Sequence, residues 1–261
     1  MVRYDSPEDL RDAARAMLAH LDDAGFGDVM LHGPNSNHAD EVLPWAEVWL
    51  ADEVLADRTV AISFHTWRSA EFADYDAIRA LAEAHGKQVW ATELGYCPQT
   101  EGCYDGTHFL LSETWGTAFD AAVSAWRAIV WSRANRVYHW AALGYDPVLN
   151  ENGERYPTYY AVKHFADFVP PGAVQVASES PDPDLLVVAF ALPETDDLSA
   201  IVINRSEERR SVRIASAHGT PWTASDAVTS TEASYDAPAD LDETGLLGLP
   251  GRSLTSLHLR P

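Results

Sequence analysis

The chain has 261 residues, 46% of them hydrophobic, and a formal net charge of -22 from 40 Asp and Glu against 18 Lys and Arg. That is ample apolar material for one or two domains. So acidic a surface repels phosphate backbones and excludes nucleic acid as a partner, and no apolar run approaches the roughly 18 residues of a membrane-spanning helix.

The only lysines are Lys87 and Lys163, and the acid is spread along the whole chain. An even spread indicates general solvation. A salt-rich environment and a lineage bias toward Asp and Ala explain it equally well. The start, MVRYDSPEDLRDAARAML, lacks the apolar block of a signal peptide and reads as a helix. A shortened start would have lost any leader, so the compartment stays open.

The first helix is predicted over 6–25. Ser6 is its N-cap, with Pro7 in the first turn and Asp9 three residues on. Leu10, Ala14, Met17 and Leu21 follow at helical spacing, and Gly25 ends it. A short apolar run, VMLHG, comes at 29–33. LPWAEVWLADEVLA (43–56) reads as a helix in which Trp45 and Trp49 serve the core, and TVAISFHTW (59–67) as a buried strand.

SAEFADYDAIRALAEAHG (69–86) is a helix with Ile78, Leu81 and His85 on one face, and QVWATELGY (88–96) is the third strand. A long helix over 113–136, a fourth strand VYHWAALGY (137–145) and a helix over 158–169 complete the first part. Short apolar strands alternating with helices indicate a parallel sheet covered by helices.

At Pro170-Pro171-Gly172 the pattern changes. AVQVASE, LLVVAFAL, LSAIVINR, SVRIAS and SLTSLHL alternate with Pro-, Gly- and Asp-rich turns, as in an antiparallel sandwich. Eight of the nine tryptophans precede residue 169, so composition divides the chain at the same place.

Four strands of the first part end in polar or aromatic residues: His32 and Asn35, His65 and Trp67, Glu93 and Tyr96, His139 and Trp140. In parallel β/α architectures the C-terminal strand ends converge on the site. A carboxylate there, among rings that stack on sugars, suits glycoside chemistry, because it stabilises an oxocarbenium-like centre or attacks the anomeric carbon. Equally open on the residues alone, Glu93 is an ion-paired strand end with Arg68 or Arg127, His65 a satisfied core histidine and Trp140 a packing residue.

The order of segments resembles the clan A glycoside hydrolases, most closely glycoside hydrolase family 30. AISFHTW matches the sixth barrel strand, VWATELG the seventh and VYHWAAL the eighth. TYYAVKHFADFVPPGAVQV matches the barrel–sandwich junction and LPGRSLTSLHL the closing strand.

The resemblance implies an α/β plus all-β chain. Residues 1–169 would be the C-terminal half of a (β/α)8 TIM barrel, strands five to eight, and 170–261 an antiparallel β-sandwich. It implies retaining hydrolysis of a β-linked glycan or glycoside with Glu93 as nucleophile. His65, Trp67, Tyr96 and Trp140 would meet the carbohydrate substrate, without cofactor or metal.

The family's acid/base glutamate, which follows an asparagine at the fourth strand end, has no counterpart. Asn150-Glu151 lies in a turn beyond the eighth strand, and Asp40, Glu41 and Asp146 are the acids nearest strand ends. Four parallel strands leave two open edges and a bare inner face. Truncation, a second chain, or a copy of the chain completing the barrel would account for this, truncation most simply. The chain alone is expected to hydrolyse glycosides poorly.

Two other readings stand beside this one: a non-catalytic carbohydrate-binding protein, and an unstable fragment. Cys97 and Cys103 are a disulfide or two free thiols. With His108 their spacing matches no strong zinc pattern.

Overall fold

The computed structural model describes residues 4–67, 70–95, 114–143, 147–217 and 222–261. Two compact units emerge, Met1–Cys103 with Arg127–Trp140, and Tyr104–Trp126 with Ala141–Pro261. Among the described residues no helix is long and apolar enough to cross a membrane.

The first unit is built on a parallel sheet in the order β1 (Leu31–Ser36), β2 (Thr59–His65), β3 (Gln88–Leu94) and β4 (Arg136–His139). Helix α1 (Pro7–Asp23) starts where Ser6 accepts the Asp9 N–H at 3.1 Å. Its buried residues are Ala14 and Leu18, and Met17 faces solvent. Val29 and Met30 are exposed as well, so the first strand begins at Leu31.

The single helix expected over 43–56 is two, α2 (Ala39–Ala51) and α3 (Glu53–Arg58). The break falls at Asp52, whose extended backbone starts α3 and whose carboxylate accepts the Val54 and Leu55 N–H groups at 3.1 Å. Helix α2 buries Val42, Ala46, Trp49 and Leu50, one stripe at helical spacing. Trp49 donates its indole N–H to Thr59 at 2.7 Å and packs so close to Gly33 that an added Cβ would stand 3.1 Å from the ring.

Helix α4 (Phe72–Ala84) buries Tyr75, Ile78 and Ala82. His85 is an exposed cap rather than part of the packed face. Ile62, Phe64, Val89 and Ala91 meet these helices, and Tyr75 packs edge-on against Phe64 and Trp131.

The second unit contains α6 (Pro157–Phe168), the first part of α5 (Trp115–Trp131) and strands β5 to β13. A six-stranded antiparallel sheet runs in the order β10 (Ala237–Pro238), β9 (Thr223–Ser230), β13 (Ser253–Arg260), β7 (Leu198–Asn204), β6 (Leu185–Ala191) and β5 (Val174–Val176). A three-stranded antiparallel sheet joins β11 (Asp240–Leu241), β12 (Leu247–Leu249) and β8 (Arg210–Val212). Leu185, Val202 and Leu257 of the first meet Leu247 and Leu249 of the second in one apolar cluster. Trp126 caps the Val187 carbonyl at 2.9 Å.

On the α6 side His164 is buried. One ring nitrogen lies 2.8 Å from the Ser256 hydroxyl and the other 2.9 Å from that of Ser230. Two hydroxyl partners satisfy a neutral imidazole, and burial presses the pKa of His164 down to about 4 from 6.5. The native state then binds fewer protons than the unfolded chain, so stability is lost as pH falls from about 6.5 toward about 4, on the order of 3 kcal/mol in all. Urea unfolding across that window should show the loss, and His164→Gln should flatten it. A variant with the parent's full slope would contradict this account.

Candidate active site

The candidate residues gather at the C-terminal end of the parallel sheet. Strict alternation from Val89 and Ala91 would turn Glu93 toward the helices. The β2–β3 register shifts after Phe64, and Glu93 comes to stand opposite His65. The His65 side chain shares its face with Ser63, so one irregularity brings the carboxylate and the imidazole together.

Glu93 Oε2 accepts the indole N–H of Trp67 at 2.9 Å. His65 Nδ1 also lies 2.9 Å from Oε2, but in a direction that makes no hydrogen bond. His65 is only 4% exposed, and neither of its ring nitrogens has a hydrogen-bond partner among the described residues. Burial, followed by the fields of His38 and His32, presses its pKa down to about 4. Burial also raises the Glu93 carboxyl above its usual range, with the Trp67 hydrogen bond pulling the other way. Both shifts oppose an ion pair, so at neutral pH His65 is an uncharged imidazole beside the carboxyl.

The glycine that follows has a definite task. A Cβ at Gly95 would land inside the indole ring of Trp67. Only a bare Cα lets that ring lie close enough for its N–H to reach Glu93. Thr66 ties the two strand ends together. Its hydroxyl donates to the Gly95 carbonyl at 3.0 Å, and its N–H donates to the Glu93 carbonyl at 3.0 Å.

On the neighbouring strand, Asn35 takes a positive φ of 64°, a conformation asparagine tolerates, and accepts the Thr92 hydroxyl at 2.5 Å. Trp140 donates its backbone N–H to the Leu94 carbonyl at 3.0 Å, and its ring is 44% exposed just past β4.

His65, Trp67, Glu93 and Trp140 therefore stand at one end of one sheet. Tyr96, Arg68, Asp146, Cys97, Cys103 and His108 lie outside the described residues. Arg127, the other cation considered for Glu93, holds its guanidinium over the Trp131 ring. Asp40 and Glu41 sit in the exposed first turn of α2. Among the described residues no group of three His, Cys, Asp or Glu side chains is disposed to hold a metal ion.

Sequence reasoning passed over Thr66 and His38. Thr66 lies between the two residues it did single out, but a threonine's partner across strands leaves no local pattern. His38 caps α2, and only its approach to His65 in space gives it weight.

Neither the models of known protein families nor the sequences of curated proteins give a match. Solved structures do. The fold is similar to a glycoside hydrolase family 30 subfamily 8 xylanase from Clostridium acetobutylicum, at 19% identity and a TM-score of 0.74, over 98% of this chain and 61% of that one. It is similar to a family 30 endoxylanase from Clostridium papyrosolvens, at 18% identity and a TM-score of 0.72, over 99% and 61%. It is similar to the catalytic domain of a family 30 xylanase from Talaromyces cellulolyticus, at 18% identity and a TM-score of 0.72, over 99% and 58%. The chain thus spans about three-fifths of the length of these proteins, and the likeness is one of fold.

Two substitutions probe the geometry. Gly95→Ala should displace Trp67 and lower stability by about 1–3 kcal/mol, the usual penalty of overpacking, read by thermal unfolding. Trp67→Phe removes a hydrogen bond to the charged form of Glu93, so the carboxyl should titrate higher than in the parent by carbon NMR. A titration at the parent's pH would show that the indole does not stabilise the carboxylate.

Proposed function

We propose that the chain is the C-terminal part of a retaining O-glycosyl hydrolase acting on a β-linked glycan or glycoside. Residues 1–169 would be strands five to eight of a (β/α)8 barrel with their helices, and 170–261 a β-sandwich side domain. The observation that carries this reading is the Glu93 carboxyl, partly buried at the C-terminal end of a parallel sheet and held by the Trp67 N–H, with the exposed Trp140 at the end of the neighbouring strand. The fold shared with xylanases supports it and makes a β-xylan the first substrate to test.

Glu93 acts as nucleophile. It attacks the anomeric carbon as the glycosidic bond breaks, forming a glycosyl ester that water later hydrolyses. Trp67 fixes one carboxylate oxygen and leaves the other to attack. His65 is assigned to a sugar hydroxyl because neither of its ring nitrogens has another partner among the described residues, although both are buried beside the carboxyl. Trp140, with Tyr96, offers aromatic surface to the ring. The chemistry uses no cofactor or metal.

Retention needs a second carboxyl about 5–5.5 Å from the first to protonate the leaving oxygen. On this reading the chain lacks that acid, and Asp40 and Glu41, exposed in the first turn of α2, are not assigned the role. General acid catalysis contributes about 10²–10⁴-fold, so a single copy should cleave an unactivated xylan poorly.

Aryl β-xylosides with a good leaving group dispense with that proton and isolate the step assigned to Glu93. Glu93→Gln should reduce their hydrolysis more than about 10³-fold while xylo-oligosaccharide binding holds. Glu93→Ala with azide should yield the α-glycosyl azide, the product of direct attack on the β-glycoside. Sugar binding with no Glu93-dependent turnover on any aryl β-glycoside would replace this reading with a non-catalytic carbohydrate-binding protein.

A further inference from the structure

Two strands of the parallel sheet each carry one residue too many, at nearly the same level. Between β1 and β2 the pairing steps from Pro34 opposite Ser63 to Ser36 opposite Phe64, so Asn35 has no partner in the ladder. Between β2 and β3 it steps from Ala91 opposite Phe64 to Glu93 opposite His65, which leaves out Thr92. Both extra residues fall beside Phe64 of the strand between them.

The two meet across that strand. The Thr92 hydroxyl donates to the Asn35 carboxamide oxygen at 2.5 Å and lies 3.3 Å from the Phe64 carbonyl. The bulge at Thr92 is the step that sets Glu93 opposite His65, so Asn35 is bonded to the residue on which the carboxyl's placement turns. Asn35 also holds a φ of 64° inside a strand, whereas Arg133, Glu194, Asp236 and Arg252, which share its positive φ, lie outside this sheet. Bulges beside active sites re-aim side chains, and a left-handed residue in a strand persists where its surroundings hold it there.

What is re-aimed is an amide. Thr92 occupies the carboxamide oxygen, and among the described residues no acceptor engages Asn35 Nδ2. The side chain is exposed at the C-terminal end of β1, the end of the sheet that carries Glu93, His65 and Trp67. Nδ2 is a neutral donor with two hydrogens. It holds a hydroxyl oxygen without pairing with a nearby carboxylate, as a lysine or arginine would.

We propose that Asn35 belongs to the carbohydrate site and donates from Nδ2 to a hydroxyl of the sugar that Glu93 attacks. The assignment rests on the glycosidase reading and adds to it a contact supplied by β1. Thr92 fixes which way round the amide sits and ties it to the strand of the nucleophile.

Hydrolysis of 4-nitrophenyl β-xyloside and of its 2-, 3- and 4-deoxy analogues tests the contact. Asn35→Gly removes the amide and adopts a positive φ without steric cost, so circular dichroism should hold. Its kcat/KM on the parent xyloside should fall about three- to tenfold, the usual worth of one uncharged hydrogen bond. On the deoxy analogue that lacks the hydroxyl concerned, Asn35→Gly and the unmodified chain should act alike. Asn35→Asp keeps the oxygen for Thr92 and loses the donor, and should show at least the same penalty.

An equal penalty on all three deoxy analogues overturns the proposal and assigns Asn35 to holding the bulges alone. No penalty on the parent xyloside overturns it too. Glu93→Gln separates this from the functional reading. Turnover lost in Glu93→Gln but unchanged in Asn35→Gly keeps the glycosidase and removes Asn35 from its site. Xylo-oligosaccharide binding that weakens in Asn35→Gly, with no turnover that depends on Glu93, keeps Asn35 as a sugar ligand and removes the catalysis. A chain that neither binds nor hydrolyses these compounds overturns both.

Discussion

The end of β3 is organised around one partly buried carboxyl. Burial alone would leave Glu93 protonated more of the time, and the Trp67 N–H offsets that by favouring the charged form. The indole reaches its acceptor only because Gly95 has no side chain, and the backbone of that turn holds its place through the Thr66 hydroxyl and N–H. A carboxyl, an indole, a glycine and a threonine therefore form one unit, in which each member's position is set by another.

The same economy runs through the sheet. Its helix-facing side is aliphatic and closely packed, so the strands are held in place from behind and their C-terminal ends are free to carry polar groups. The irregular register after Phe64 is the device that transfers Glu93 from the helix side to His65. Without that step the strand would bury a carboxylate in an aliphatic layer, where it would be far more expensive than it is at the rim.

Much of this was legible in the sequence, for identifiable reasons. The start of α1 could be read because Ser6, Pro7 and Asp9 form a local cap, and β2 because the strand formers Thr59, Val60, Ile62 and Phe64 fall within seven residues. Glu93, His65 and Trp67 could be singled out because polar groups ending apolar runs are unusual. Other features depend on what lies across space. Met17 and Leu18 are adjacent on α1, and only packing decides that Leu18 is buried. The break at Asp52 hides inside an unbroken helical pattern, since one aspartate can continue a helix or cap a new one. Strand β9, TASDAVTS, has no apolar alternation and exists through its long pairing with β13. The contact between His65 and Glu93 needed the register shift, which no periodicity displays.

On the proposed reading, the neutrality of His65 matters as much as the placement of Glu93. A cation 2.9 Å from the carboxylate would hold its charge in an ion pair and make it a poorer nucleophile. An uncharged imidazole leaves that charge available to the anomeric carbon. Burial, reinforced by His38 and His32, keeps His65 uncharged down to a pH of about 4. The fields of His38 and His32 thus add to burial in making His65 harder to protonate. The carboxyl beside it then faces an incoming sugar with one hydrogen bond from an indole and no competing positive charge at His65.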